Sequence, residues 1–298
     1  MFPGLPVLTH TVVTVGCVPV AYREAGRRSG APTVLLLHGF SSGAYQFRRL
    51  IGVLGLEHHV LAPDYPGFGA TGTDFSFAAD APWAFDWLAD VGEGFLDSLG
   101  IDQVVAYVFD WGGPILMWIA ERRPGLVRGL VIQNANLYDE GLSEAARGFI
   151  ALTETDADAV ESVRELLDEE STWRQYLSGV RNPQSVAPES WLLDQTYLDR
   201  GDRTGIQVRL AFDYKSNLQR YADWQAWLRR HQPPALIIWG RHDPFFTVDG
   251  ALAYLRDLPN ADVHLLDTGH FALEERIETI ASLMLAFLQQ LRPDSGQG

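Results

Sequence analysis

The chain has 298 residues, enough for one large α/β domain with an insertion or for two modest domains. Hydrophobic residues make up 47% and charged residues 20%, the balance of a globular protein with a sizeable core, and a formal net charge of −15 argues against nucleic acid and anionic membrane surfaces as partners. The single cysteine, Cys17, excludes an intrachain disulfide and a cysteine-built metal site, and it fits a reducing cytoplasm.

Residues 1–10 lack the basic flank and apolar core of a signal peptide, and no apolar run approaches the ~20 residues that span a bilayer. The expectation is a soluble, cytoplasmic protein. Residues 9–15 and 18–24 alternate around Gly16-Cys17 as an antiparallel hairpin. The continuous apolar run 33–37 suits a strand buried on both faces and runs into His38-Gly39-Phe40-Ser41. Helical spacing follows in Tyr45, Phe47, Leu50, Ile51 and Leu54. The next strand, 59–62, closes in a turn cluster from Pro63 to Gly69, and 85–99 reads as a helix stopped by Gly100. Strands at 104–109 and 130–133 flank another helix, so the alternation predicts parallel βαβ units. From 138 to 230 no buried strand is predicted. Amphipathic stretches at 157–170 and 218–228 mark a helical insertion. The sheet rhythm returns at 235–239 and 263–266, around a helix at 247–258 and before a final helix at 274–291, and the residues after Arg292 read as a disordered tail.

The informative stretch is 104–117. A β-branched and aromatic run stops at Asp110, Gly112-Gly113 follow, and an apolar periodic segment begins at Ile115. That is strand, sharp turn, helix, the context of a nucleophile elbow. Its apex holds Asp110 where a serine is usual. A carboxylate there cannot perform serine acyl transfer, but it can attack an sp³ carbon and form an alkyl ester with the enzyme, expelling a halide or an epoxide oxygen. Two other strand ends carry polar residues: Asp243, in Gly240-Arg241-His242-Asp243, and His270, in Thr268-Gly269-His270. Open α/β sheets bind ligands outside the carboxyl ends of their strands. The chain order of nucleophile, acid and histidine is the α/β-hydrolase order.

Hairpin, buried strand into His38-Gly39, the turn at 64–69, elbow, helical insertion, late acid and terminal histidine together resemble the α/β-hydrolase superfamily over nearly the whole chain. Asp110-Trp111-Gly112-Gly113 is similar to the elbow shared by epoxide hydrolases and haloalkane dehalogenases. The resemblance implies an α/β-hydrolase fold, a mostly parallel sheet with helices on both faces. Its core domain would comprise residues 1–137 and 231–298 and its helical cap residues 138–230. It implies that Asp110 attacks the substrate, that His270, oriented by Asp243, activates water against the ester, and that the backbone N–H groups of Phe40 and Trp111 form the oxyanion hole. No cofactor and no metal is implied.

Leaving groups separate the two families. An epoxide oxygen benefits from a proton donor, whereas a halide is held by indole or amide N–H groups. The stretch 212–217 resembles the late lid segment of epoxide hydrolases, which makes Tyr214 a donor candidate with Tyr176 as companion. The dehalogenase alternative uses Trp111 with Trp173, and Trp111, Trp173 and Phe40 are pocket candidates. Phe40 stands where one large dehalogenase group has asparagine; Ser41 and Phe109 depart from common epoxide-hydrolase residues; and Trp111 replaces the arginine of fluoroacetate-type enzymes. A serine esterase would need a serine at the apex, and Ser41 and Ser42 lie in the oxyanion loop instead. A non-catalytic binding protein of this fold would be expected to have lost Asp110, Asp243 or His270. The expectation is therefore an epoxide hydrolase, with haloalkane dehalogenase as the alternative. It would act on a small hydrophobic substrate as a monomer or homodimer. Structural roles are expected for His38, which shapes the loop, for Asp64, which anchors a turn, and for Trp173, Trp191, Trp224 and Trp227, which pack the lid; His242 should face solvent.

Overall fold

The computed structural model describes residues 6–29, 31–72, 81–156 and 158–291. Strands β1 (Thr9–Val15) and β2 (Val18–Ala25) form the hairpin, and β3 is Thr33–Leu37. A 3₁₀ turn, Ala44–Phe47, leads into α1 (Arg48–Leu54), then β4 (Val60–Pro63), α2 (Phe85–Ser98), β5 (Val104–Phe109), α3 (Gly112–Arg122) and β6 (Val127–Gln133). Five helices follow: α4 (Glu144–Ala151), α5 (Ala159–Glu165), α6 (Glu169–Leu177), α7 (Pro188–Leu198) and α8 (Arg203–His231). The chain ends with β7 (Ala235–Gly240), α9 (Val248–Ala253), β8 (Asp262–Leu266), α10 (Ala272–Glu275) and α11 (Ile277–Gln290). The strands make one eight-stranded sheet in the order β1-β2-β4-β3-β5-β6-β7-β8, antiparallel at β1-β2-β4 and parallel elsewhere.

Strands β3 to β7 are apolar on both faces because both faces are covered. Leu35, Leu37, Ala106, Val108, Ile132 and Ile237 point to a core shared with α2, α3 and α8. Their neighbours Val34, Leu36, Tyr107, Val131 and Ile238 point to the other side, against α1 and α11. Strands β3 to β7 therefore have no polar face, and the polar residues near the site lie at or beyond the strand ends.

The predicted helix at 157–170 is divided. Asp168 accepts the Ser171 N–H at 2.7 Å, capping α6 and ending the preceding segment at α5; residue 157 lies outside the described residues. The predicted 218–228 stretch is the second half of the 29-residue α8. Its tryptophans face the sheet domain: Trp224 Nε1 donates to Glu121 Oε2 at 3.0 Å and Trp227 Nε1 to the Ala120 carbonyl at 3.1 Å, both at the end of α3. These two residues therefore anchor α8 to α3 rather than packing the inserted helices together. The last predicted helix is broken at Arg276, whose φ of −119° separates α10 from α11. The expected tail after Arg292 lies outside the described residues. No helix among the described residues is long and apolar enough to cross a membrane.

Candidate active site

Strand register gathers the site. Leu37 pairs with Val108, Phe109 with Gln133, and Gly240 with Leu266. The residues that follow these strands, Phe40, Asp110, Asn134, Asp243 and His270, thus emerge at one edge of the sheet.

Asp110 lies at φ 50°, in the left-handed region. That conformation costs a non-glycine residue about 1 kcal/mol or more and survives where the surroundings enforce it. Two glycines do so by permitting close approach. A Cβ on Gly112 would stand 2.5 Å from the Leu37 carbonyl oxygen, and one on Gly39 would stand 2.3 Å from Asp110 Oδ1. The Asp110 carboxylate therefore reaches the loop after β3, where the Phe40 N–H donates to Oδ1 at 2.6 Å. The Trp111 N–H donates to the same carboxylate. The other oxygen, Oδ2, is 3.8 Å from His270 Nε2. This is too long for a hydrogen bond and short enough for one water molecule to touch both atoms.

His270 Nδ1 is 2.6 Å from Asp243 Oδ2. Asp243 divides its oxygens between two tasks. Oδ1 accepts the N–H groups of Phe245 and Phe246 at 2.7 and 3.1 Å, which builds the turn after β7, while Oδ2 faces the imidazole and accepts Asn134 Nδ2–H at 2.7 Å. With its lone pairs engaged, this buried carboxylate remains an acceptor, so His270 Nδ1 carries a proton and Nε2 is the basic nitrogen facing Asp110. The imidazole is packed among the rings of Phe109, Phe245, Phe246 and Phe271. Burial pushes its pKa down, but the charge of Asp243 and its hydrogen bond outweigh that, and the net direction is up. Burial raises the pKa of Asp110, while His270 and the Phe40 and Trp111 N–H groups pull against it.

Above Asp110 lies a cavity of about 140 Å³, walled by apolar residues such as Phe40, Ala146, Phe149, Ile150, Phe245 and Phe246. Asp110, His270, Trp111, Tyr214 and Gln175 supply its polar groups. Tyr214, on α8, packs its ring 6.0 Å from that of Trp111, and its hydroxyl is 3.5 Å from that of Tyr221. Burial drives the Tyr214 pKa well above the ordinary phenol value. The expectation for Tyr176 does not hold. Its hydroxyl donates to Asp194, its ring stacks on Phe271 at 3.8 Å, and it is absent from the cavity wall; the preceding residue of α6, Gln175, faces the cavity instead. Trp173 is also placed elsewhere, 43% exposed on the outer side of α6, because it lies two positions from the inward-facing Gln175 and residues so spaced on a helix face nearly opposite ways.

His38 is structural, as expected: Nδ1 bonds the Gly39 carbonyl at 3.0 Å and Nε2 accepts the Tyr65 N–H at 3.2 Å. Asp64 anchors its turn by accepting the Ala44 and Ala70 N–H groups at 2.6 and 3.0 Å. The half-exposed His242 pairs with Asp267 at 2.7 Å. No group of three or more His, Cys, Asp or Glu side chains among the described residues could hold a metal ion.

Residues 32–277 match the model of the alpha/beta hydrolase fold. The chain belongs to the α/β-hydrolase family. This hydrolase is 38% identical over 286 residues to an uncharacterized hydrolase of Saccharomyces cerevisiae, YNR064C, covering 94% of this chain and 97% of that one. It is 26% identical over 296 residues to a haloalkane dehalogenase of Psychrobacter cryohalolentis, covering 90% and 87% of the two chains. Among solved structures, haloalkane dehalogenase DbeA from Bradyrhizobium elkani superposes with a TM-score of 0.78 at 24% identity, over 96% of this chain and 99% of that one. Epoxide hydrolase CorEH superposes with a TM-score of 0.74 at 19% identity, over 96% and 100%. At such identities the structures share the fold.

The sequence reading of the hydrolase missed Gln133, Asn134 and Gln175. Gln133 Nε2 donates to the His270 carbonyl at 2.8 Å and to Asn134 Oδ1 at 2.9 Å, and Asn134, at φ 45°, spans from Asp243 to the Gly240 N–H. Their signal was present: two adjacent amides at the carboxyl end of a buried strand. Gln175 gave none, since nothing in the sequence sets which side of α6 faces inward.

Proposed function

We propose that this hydrolase opens small apolar epoxides to diols through an alkyl ester on Asp110, with residues 138–230 acting as the cap over the reaction. The observation that carries the mechanism is the division of the Asp110 carboxylate: Oδ1 receives the Phe40 N–H while Oδ2 is turned toward His270. Oδ2 forms a bond to an epoxide carbon, and the breaking C–O bond leaves its electron pair on the ring oxygen, which takes the Tyr214 hydroxyl proton. Because burial holds the Tyr214 pKa high, the phenol keeps its proton at neutral pH and yields it to a base as strong as an alkoxide.

Hydrolysis follows at the carboxyl carbon. His270 Nε2 takes a proton from water as its oxygen bonds to that carbon, and the resulting oxyanion sits on the Phe40 and Trp111 N–H groups. The tetrahedral species expels the diol oxygen, which is protonated by His270. The regenerated acid's proton returns to the Tyr214 phenolate, so one epoxide and one water give one diol.

A second reading, dehalogenation, is favoured by Trp111 on the cavity wall and by the 26%-identical relative named as a haloalkane dehalogenase. One experiment separates the two. His270→Gln is incubated with styrene oxide and, separately, with 1-bromobutane, and the intact protein is weighed. A gain of the whole epoxide, absent in Asp110→Ala/His270→Gln, is the expected result. A gain of a butyl group with bromide release and no reaction with the epoxide would transfer the chain to the dehalogenase reading.

A further inference from the structure

Once Asp110, His270, Trp111 and Tyr214 have been given their roles, one polar side chain on the cavity wall is left over. Gln175 is buried on α6, and its amide is held at both ends. Nε2 donates to the Leu166 carbonyl at 2.8 Å, and Oε1 accepts the Ser41 hydroxyl at 3.0 Å. The first bond fixes which atom is which, because a carbonyl only accepts and so must face the NH₂ group. An NH₂ group has two hydrogens, and Leu166 takes one.

Ser41 makes the arrangement costly enough to call for a reason. It lies at φ 54°, in the left-handed region, and is 2% exposed. It immediately follows Phe40, whose N–H meets Asp110 Oδ1. The strained loop thus sets the oxyanion donor with one residue and the Gln175 amide with the next, and backbone strain of this kind clusters where geometry is used. An amide bound on two sides cannot swing away from the cavity it lines, so its second N–H is a preorganised donor on the α6 side of the wall.

We infer that Gln175 Nε2–H is a leaving-group contact: it hydrogen-bonds the departing heteroatom of the substrate while Asp110 forms its ester, and takes no part in the hydrolysis of that ester. The inference rests on the alkyl-ester reading above and assigns the second donor, beside Tyr214, that a nascent alkoxide accepts from. As a contact of the first step alone, it divides the two half-reactions.

The test follows the half-reactions separately with styrene oxide. Ester formation is timed by quenched-flow mass analysis in His270→Gln and in Gln175→Leu/His270→Gln. Ester decay is timed in single turnovers of wild-type enzyme and Gln175→Leu. The expected result is ester formation slowed roughly ten- to hundredfold, below the roughly hundred- to thousandfold lost with an oxyanion-hole donor because Tyr214 still serves the leaving atom, with the decay rate unchanged. Gln175→Met, unbranched and of similar length, should behave alike and stands in if the leucine variant fails to fold. Ser41→Ala, which frees one end of the amide, should slow the same step by a smaller factor. Ester formation within twofold of the parent, or equal slowing of both steps, overturns the assignment while leaving the alkyl-ester reading intact. If the parent His270→Gln reacts only with 1-bromobutane, the epoxide reading falls, and the same comparison of bromide release judges Gln175 by the same criterion. If the parent reacts with neither compound, both readings fall.

Discussion

In the proposed reaction, His270 and Asp243 set the pH dependence of ester hydrolysis. His270 must be neutral to take a proton from water, and its pKa in the fold lies above the ordinary 6.5. Ester decay should therefore fall as pH drops through the pKa of His270, which in the ester is held up by Asp243 alone because esterification removes the charge of Asp110. Asp243→Asn removes the charge that raises the pKa and leaves burial, which lowers it, so the acid limb should move to lower pH while the plateau rate falls with the lost orientation of the ring. A limb that stays in place in single-turnover pH profiles would show that another group controls it. Asn134 permits a cleaner separation of strain from hydrogen bonding. Asn134→Gly keeps the freedom to adopt φ 45° and loses the amide donated to the buried Asp243, for an expected cost of about 1.5–3 kcal/mol in urea unfolding. Asn134→Ala should cost about 1 kcal/mol more, the additional price of left-handed backbone with a Cβ.

Helix α8 links the cavity to the sheet. Its middle carries Tyr214 onto the cavity wall, and its C-terminal half is tied to α3, the helix that begins at the Asp110 turn, through Trp224 and Trp227. Trp224 is fully buried. Trp224→Ala should cost about 3–5 kcal/mol of stability, and Trp224→Phe, which keeps most of the packing and loses the bond to Glu121, about 1 kcal/mol, both read from urea midpoints. Because α8 is continuous through both regions, the alanine variant should also weaken turnover without touching substrate. Restored activity in the phenylalanine variant would distinguish this packing effect from loss of the indole N–H. Helix α4 is the complementary case. Phe149 and Ile150 lie on the cavity wall and make no hydrogen bond through their side chains, so they limit its size and little else. Phe149→Ala should raise kcat/KM for longer alkyl epoxides relative to the shortest by roughly tenfold, within the range that one or a few methylenes give in an apolar pocket.

At the scale of the whole molecule, a parallel sheet covered on both faces leaves its strand ends as the place where polar side chains meet. Phe40 after β3, Asp110 after β5, Asn134 after β6, Asp243 after β7 and His270 after β8 come from positions as far apart in sequence as 40 and 270, and the pairing of their strands sets their spacing. The site is therefore as stable as the sheet. A destabilising change deep in a strand, such as Val131→Ala on the α1 and α11 face, should lower the free energy of unfolding by about 1–3 kcal/mol and leave the rate per folded molecule unchanged, which activity measured against active-site titration would check.

The sequence alone determined the eight strands and their order, because buried strands leave apolar runs and because Gly112 and Gly113 mark the sharp turn after one of them; in the insertion it marked helices without giving their number or their breaks. It also determined which polar residues stand at strand ends, and so brought Asp110, Asp243 and His270 together before any coordinate. The tertiary structure decided what depends on side-chain direction. Within the single stretch from Trp173 to Tyr176, the rotation of α6 sends Trp173 to solvent, Tyr176 to Asp194 and Gln175 to the cavity. Helix α6 sets polar and aromatic residues side by side, and its packing against α7, the Ser41 loop and Phe271 selects which of them face inward.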